Sequence, residues 1–251
     1  MKTIYPQRLF LEITYDGTNY YGWQRQPEFI SIQQAIEEVL SKLYDEPVYI
    51  VGCGRTDTGV HAKKYFLHFD APKERPNLAF ILQKMLPKDI GIIAIHPVEE
   101  NAHTRFDAIE RTYWYFLDED YDVFRRNQAW WYPLSELNQE HIQEACKLFT
   151  KYDNYIALCR FNPELSNHLS KVVQADWCYF TPEKRVIFKV KSNRYLRNQI
   201  RRMVGCLVDI GRGKVSLAEL EEALKNGTPL KYNKAAPPQG LFLWNIKYPY
   251  I

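Results

Sequence analysis

The chain lacks the features that would place it in several broad classes. It has only 5 cysteines in 251 residues. Cys53, Cys146, Cys159, Cys178 and Cys206 are scattered, odd in number and free of any C-x-x-C pair. That pattern excludes a disulfide framework and a zinc ribbon, and implies reduced thiols in an intracellular setting. The 6 histidines are also dispersed. No two have ligand spacing on a common helix, so no metal site is expected. No apolar run approaches the length of a membrane span, and Met1–Phe10 lacks the apolar region of a signal peptide. A cytoplasmic protein without membrane contact is therefore expected. Linkers, low-complexity stretches and a sequence repeat between the halves are all missing, so two halves, if present, should pack tightly.

What is present is an aromatic-rich globular composition. Apolar residues make up 46% of the chain, charged residues 25% and aromatics 15%, with 18 Tyr and 6 Trp. A chain of this length buries a large core as one domain or two. The aromatic excess suits a core, and it equally suits a surface on which bases stack. The net charge of +3 permits a nucleic-acid partner without demanding one, so the distribution of charge matters more than its sum.

Period and punctuation give a coarse course of the chain. Arg8–Tyr15 alternates as a strand with Leu9, Leu11 and Ile13 on one face, then turns at Asp16-Gly17. Ser31 to Gln34 reads as a capping box, opening a helix whose stripe is Ile32, Ala35, Ile36, Val39, Leu40 and Leu43. Pro47 starts a β-branched strand through Val51, and Tyr65–Phe69 reads as the returning strand. A helix over Leu78–Met85 and a strand over Ile90–Ile95 complete the first half. In the second half, strands are expected at Arg111–Leu117, Val172–Phe180, Val186–Lys191 and Leu241–Ile246. Helices are expected at Gln139–Phe149, at Asn193–Ile210, and after a second capping box at Ser216–Glu219. The mixture is α+β.

Three blocks carry candidate chemistry. The first is Gly52-Cys53-Gly54-Arg55-Thr56-Asp57-Thr58-Gly59-Val60-His61, one carboxylate among three glycines beside a guanidinium. Glycines let the backbone approach a ligand and adopt positive φ. Asp-Thr-Gly also occurs in ordinary turns. It marks aspartic proteases too, but their chemistry needs two carboxylates sharing a proton. This chain has no second Asp-Thr-Gly or Asp-Ser-Gly, and Asp16-Gly17-Thr18 has the wrong order. The second block runs from Asn101 through Arg105-Phe106-Asp107-Ala108 to Arg111-Thr112-Tyr113-Trp114-Tyr115. It reads either as a cross-strand aromatic ladder or as a base-stacking tyrosine beside phosphate-binding arginines. The third is Asn193–Gly205. On a continuous helix, Leu196, Ile200, Met203, Val204 and Leu207 form an apolar stripe, with Arg194, Arg197 and Arg201 on an adjoining face. Such a face is either solvated or faces an anionic backbone.

G-R-T-D-T-G-V-H, F-D-A-x-x-R-T-Y-x-Y and N-x-(aromatic)-L-x-x-x-I-R-x-M-V-G resemble, in this order, the three motifs of the TruA family of tRNA pseudouridine synthases. Tyr15–Gln26 and Pro238–Leu243 are similar to its N- and C-terminal strands. The resemblance spans residues 9 to 246. It implies two pseudo-symmetric α/β sandwich halves, 1–105 and 106–251, in the pseudouridine synthase fold, with sheets joined around a central RNA-binding cleft. It implies an isomerase that turns uridine into pseudouridine at positions 38 to 40 of the tRNA anticodon arm, working as a homodimer without cofactor or metal. Asp57 matches the nucleophile, Tyr113 the tyrosine stacked on uracil, and Arg201 the arginine paired with the nucleophile. Arg55 is assigned the gap left by the flipped base, and Leu243 the lining of the uracil pocket. The RNA path is expected along Arg194, Arg197 and Arg202, with Lys63, Lys64 and Arg105 contributing. A non-catalytic RNA-binding protein of the same fold would suit the basic and aromatic features equally. The joint presence of Asp57, Tyr113 and Arg201 favours the enzyme. The chain departs from the family pattern at Tyr65, where a Gln is expected, at Gln83, where an Asn is usual, and around Leu158–Lys171.

Overall fold

The computed structural model describes residues 6–251; Met1–Tyr5 of the N-terminal stretch lie outside them. The chain forms two compact units, Met1–Ile109 with Leu243–Ile251, and Glu110–Phe242. Both are α+β. Among the described residues, no helix is long and apolar enough to cross a membrane.

In the first unit, β1 (Gln7–Tyr15) lies between β3 (His61–Ala71) and β4 (Ile90–Pro97), antiparallel to both. The short β2 (Val51–Gly52) pairs with β3 at His68 and Leu67. Most of β9 (Leu241–Lys247) belongs to this unit and lies beside β3. Strand β1 is buried on both faces: Phe10 and Glu12 are covered as well as Leu9, Leu11 and Ile13. Helix α1 (Ile32–Tyr44) buries Ile32, Ile36 and Leu40, while helix α2 (Leu78–Met85) buries Leu78 and Leu82.

Two local expectations need correction here. Ser31 does cap α1, accepting from Gln34 N at 3.2 Å. The reciprocal half of the box is replaced, because the Gln34 amide donates to Glu38 Oε1 at 2.9 Å. The β-branched run Val48–Ile50 is not a strand. Its backbone groups go to α1 side chains instead. Val48 N donates to Ser41 Oγ (2.9 Å), Ile50 N donates to Glu37 Oε1 (3.2 Å), and Ile50 O accepts from Gln33 Nε2 (3.3 Å). Only Val51 and Gly52 remain to join β3.

In the second unit, β5 (Glu110–Asp118), β8 (Arg185–Ser192) and β7 (Val172–Phe180) run antiparallel in that order, and β6 (Trp130–Trp131) pairs parallel to β5. Helix α3 (Gln139–Lys151) packs on β7 and on the helices α4 (Gln199–Gly211) and α5 (Leu217–Asn226). Phe149, Trp177, Phe188, Met203, Leu207 and Leu220 fill the core. The capping box at Ser216 and Glu219 is complete, and Gly227 ends α5 with φ of 67°, a left-handed conformation that glycine takes at no steric cost.

The basic helix expected from Asn193 begins six residues late. Residues 193–198 form a loop and α4 starts at Gln199. Asn198 takes φ of 61°, which breaks helical continuity. The carbonyls that a helix would use internally are also committed elsewhere. Arg194 O accepts from Ser170 Oγ (2.7 Å) and Ser192 Oγ (2.8 Å), and Arg197 O accepts from Arg160 N (2.8 Å). Arg194 and Arg197 therefore do not share a helical face with Arg201.

Candidate active site

The Asp57 segment is an irregular turn between β2 and β3. Asp57 is half-buried, Thr56 buried and Arg55 exposed. Val60 N donates to Asp57 O at 3.1 Å, closing a turn completed by Gly59 at φ of 74°. With little regular hydrogen bonding of its own, the turn is fastened by its neighbours. Cys53 N donates to Phe66 O (2.9 Å), Gly59 N to Tyr20 O (3.3 Å), and Trp23 N to Thr56 O (3.2 Å). The hydroxyls of Tyr15 and Thr56 lie 2.9 Å apart. The Tyr65 hydroxyl donates to Gly54 O at 2.5 Å.

The 17–23 segment packs backbone to backbone on this turn, which is why it carries glycines. A Cβ at Gly22, whose φ is 83°, would lie 2.5 Å from Thr56 O and 3.1 Å from the Asp57 carbonyl carbon. A Cβ at Gly17 would collide with Val60 O. Beside them, Asp16 Oδ1 lies 3.1 Å from Nδ1 of the buried His61. The His61 hydrogen bond, aided by Thr18, holds the Asp16 carboxyl well below the usual carboxylate range.

The remaining basic residues of this unit differ in disposition. Lys63 is exposed. Lys64 Nζ is engaged by Glu12 Oε1 at 2.8 Å, and His96 Nε2 lies 3.2 Å from Oε2 of the same carboxylate. Arg105 is exposed, with its guanidinium over the Phe106 ring at 5.6 Å. Leu243 is buried at 1% exposure. Gln83 has a structural role: its Oε1 accepts from Ile92 N at 2.8 Å, tying α2 to β4.

In the second unit, Tyr113 stands half-buried on β5, edge-on to the Tyr195 ring at 5.1 Å and 83°. Trp114 projects to the other face, with Lys189 Nζ over its ring at 4.8 Å. Tyr115 is fully buried and donates to Pro237 O at 2.8 Å. Burial raises its pKa well above the usual value, opposed by the Arg201 charge.

Arg201 is the third residue of α4. Its Nε donates to Ala236 O at 2.7 Å, and its own carbonyl accepts from Ala236 N at 2.8 Å. Gly205, one turn on, makes this approach possible, because a Cβ there would collide with Lys234 O. Arg202 Nη1 donates to Asn233 O at 2.7 Å. Residues 233–236 thus form a backbone clamp that no motif pattern revealed; the close-approach Gly205 was its one visible signal. Arg194 is half-buried and Arg197 exposed. Around Leu158–Lys171, Phe161 is exposed and stacked on His168 at 4.9 Å, and Lys171 is exposed.

Chemically, the first unit offers one carboxylate held in a preorganised turn beside an exposed guanidinium. The second offers an edge-packed tyrosine and an arginine of fixed orientation. Among the described residues, no group of three His, Cys, Asp or Glu side chains could hold a metal ion.

Residues 145–249 match a family model described as tRNA pseudouridine synthase. The chain is 35% identical to tRNA pseudouridine synthase A of Porphyromonas gingivalis, over 96% of this chain and 97% of that one. It is 36% identical to the protein of that name from Azobacteroides pseudotrichonymphae, with the same coverage. Against that of Methylacidiphilum infernorum the identity is 36%, covering 95% of this chain and 94% of the other. A crystal structure of a Cbf5-Nop10-Gar1 complex aligns with 79% of this chain and 54% of its own at a TM-score of 0.33 and 11% identity, too loose to bear on the fold. Kinship at this level, end to end and from several bacterial lineages, means that the chain belongs to the tRNA pseudouridine synthase A family.

Proposed function

We propose that this chain isomerises uridine to pseudouridine at positions 38 to 40 of the tRNA anticodon arm, with Asp57 as nucleophile. The observation that carries the assignment is the Asp57 turn. It presents a single half-buried carboxylate, and its backbone is tied to neighbouring elements at Cys53, Gly54, Thr56 and Gly59. A nucleophile gains most from being held in one geometry before the substrate arrives. A base within a folded RNA must leave its stack to be reached.

The carboxylate attacks uracil C6 or ribose C1′. The N1–C1′ bond breaks, the base turns, a C5–C1′ bond forms, and the bond to Asp57 breaks with its electron pair returning to the carboxylate. C5 loses its proton and N1 gains one, so atoms and electrons balance without an oxidant. Tyr113 is assigned stacking on uracil and uptake of the C5 proton, Arg201 the positive charge that favours an ionised nucleophile, and Arg55 the gap left by the flipped base. Leu243 is assigned to the uracil pocket. Lys63, Arg105, Arg194 and Arg197 are assigned to phosphates; Lys64 and Arg202 would first have to leave Glu12 and Asn233. The protein is assigned to the cytoplasm and works as a homodimer, which sedimentation measures directly.

The experiment is chemical mapping of pseudouridine in tRNA after incubation with wild type, Asp57→Ala or Asp57→Asn. Wild type should modify positions 38 to 40. Both variants should lose all detectable turnover while binding tRNA within several-fold of wild type. Substantial turnover by Asp57→Asn would remove Asp57 from the role.

A further inference from the structure

We infer that Tyr65 is a positioning residue for the nucleophile turn, acting through the hydrogen bond from its hydroxyl to the Gly54 carbonyl. The inference rests on the reading of Asp57 as nucleophile.

Tyr65 sits in β3 opposite Ile13 and is fully buried. Its ring stacks on Trp23 at 4.1 Å and 27°, and meets Tyr15 at 5.5 Å. A buried phenol needs a polar partner, and leaving it without one is costly. Here the partner is Gly54 O, three residues before Asp57. The other two rings of the cluster fasten the next part of the same turn. Trp23 does so through its backbone N–H to Thr56 O, and Tyr15 through its hydroxyl at Thr56 Oγ1. Three aromatic residues thus fix Gly54 and Thr56, the two neighbours of Arg55, leaving Arg55 exposed and Asp57 half-buried.

The space for the Tyr65 hydroxyl is specific. A Cβ at Gly52 would collide with that oxygen and lie 2.5 Å from the Trp23 ring. Because the peptide unit is planar, holding Gly54 O also fixes the direction of the Arg55 N–H. A filler of the core would need only the ring. The hydroxyl, delivered to a carbonyl of the turn, acts on the turn.

The test separates the hydroxyl from the ring. Wild type, Tyr65→Phe, Tyr15→Phe and Asp57→Asn are compared for single-turnover pseudouridine formation, tRNA affinity, melting temperature and amide hydrogen exchange of residues 54–58. Tyr65→Phe should slow the chemical step by about 10- to 100-fold, the scale of a small misplacement of reacting groups. Its tRNA affinity should stay within about threefold, and exchange at 54–58 should quicken while α1 and α2 are unchanged. Tyr15→Phe, which loses the contact to the Thr56 side chain and leaves the Gly54 carbonyl bonded, should slow the step less. Gly52→Ala gives a second, less selective route, since its methyl meets both the Tyr65 hydroxyl and the Trp23 ring; a rate loss at least as large is expected, and an undiminished rate counts against the inference. A Tyr65→Phe rate within twofold of wild type, or unchanged exchange at 54–58, overturns the inference. Turnover by Asp57→Asn would instead remove the nucleophile assignment, while the exchange measurement still decides whether Tyr65 holds the turn.

Discussion

The turn that carries Asp57 has little regular secondary structure of its own, whereas Arg201 stands in the first turn of α4. The Asp57 turn takes its shape from outside: hydroxyls of Tyr15 and Tyr65, backbone groups of Tyr20, Trp23 and Phe66, and the close approach of Gly17 and Gly22. Arg201 takes its direction from a regular helix; its Nε donates to Ala236 O, which holds the side chain, and its carbonyl accepts from Ala236 N, which holds the backbone. The first arrangement spreads the task over many weak contacts of distant sequence. The second concentrates it in one helix and one stretch of irregular backbone, 233–236. Damage should therefore show differently: graded misplacement in the first, loss of a single directed charge in the second.

Among variants that leave Asp57 in place, the largest expected effect comes from Arg201. Arg201→Met keeps the stem and removes the fork, and should lower the rate of pseudouridine formation by about 10²- to 10³-fold, as for loss of one preorganised charge donor. Arg201→Lys restores a charge but not the planar fork, and cannot copy an Nε–H to Ala236 O, so it should recover only part of the rate. A near-normal rate for Arg201→Met would break the comparison outright.

The glycines sharpen it. Gly22→Ala places a methyl against Thr56 O at positive φ. It should cost about 1–2 kcal/mol in the left-handed conformation alone and slow the chemistry as well, because the strain enters the Asp57 turn. Gly205→Ala pushes α4 from Lys234 O and should cost about 1–3 kcal/mol, as overpacking does. Urea titration gives the stabilities and single-turnover assays the rates. A Gly22→Ala variant with lowered stability but full rate would show that the turn tolerates displacement.

The smallest effect is electrostatic. Arg197 is exposed and its head is assigned to a phosphate. Arg197→Gln should flatten the slope of log K against log salt by about one unit. Arg202, bonded to Asn233 O, should on removal cost about 1 kcal/mol of stability and leave the slope unchanged. Equal slopes for Arg197→Gln and wild type would return Arg197 to the solvated surface.

Much of the fold was legible where local chemistry decides it. Helix α5 begins at its Ser216–Glu219 box and ends at Gly227, and α2 stops before Pro87. Elements failed where distant groups decide. Val48–Ile50 has strand-like composition, yet α1 side chains take its backbone groups. The 193–198 loop continues an apolar stripe through the buried Leu196, yet Ser170, Ser192 and Arg160 hold its carbonyls. At the site, the glycine-rich Asp57 turn stood out because its residue types are unusual. Tyr65 stood out only as a departure, since its significance lies in where one hydroxyl points. Ala236 gave no signal of its own, because it acts through its backbone; the only trace of it was the glycine at 205 on the facing helix.

The division of β9 has a consequence for how the chain is made. Residues 243–251 belong with the first unit, although the whole of Glu110–Phe242 is synthesised before them. The Tyr248 ring caps Phe10 and Phe66 at 5.6 and 5.0 Å, its hydroxyl donates to Thr104 O, and Ile109 N donates to Lys247 O. On the ribosome, the nascent first unit thus waits with one edge of β3 covered only by the two-residue β2, and with two aromatic faces bare. At about 5–20 residues per second, that interval lasts several seconds or more. In that interval the partly open strand edge is the point at which the nascent chain is most exposed to wrong pairing.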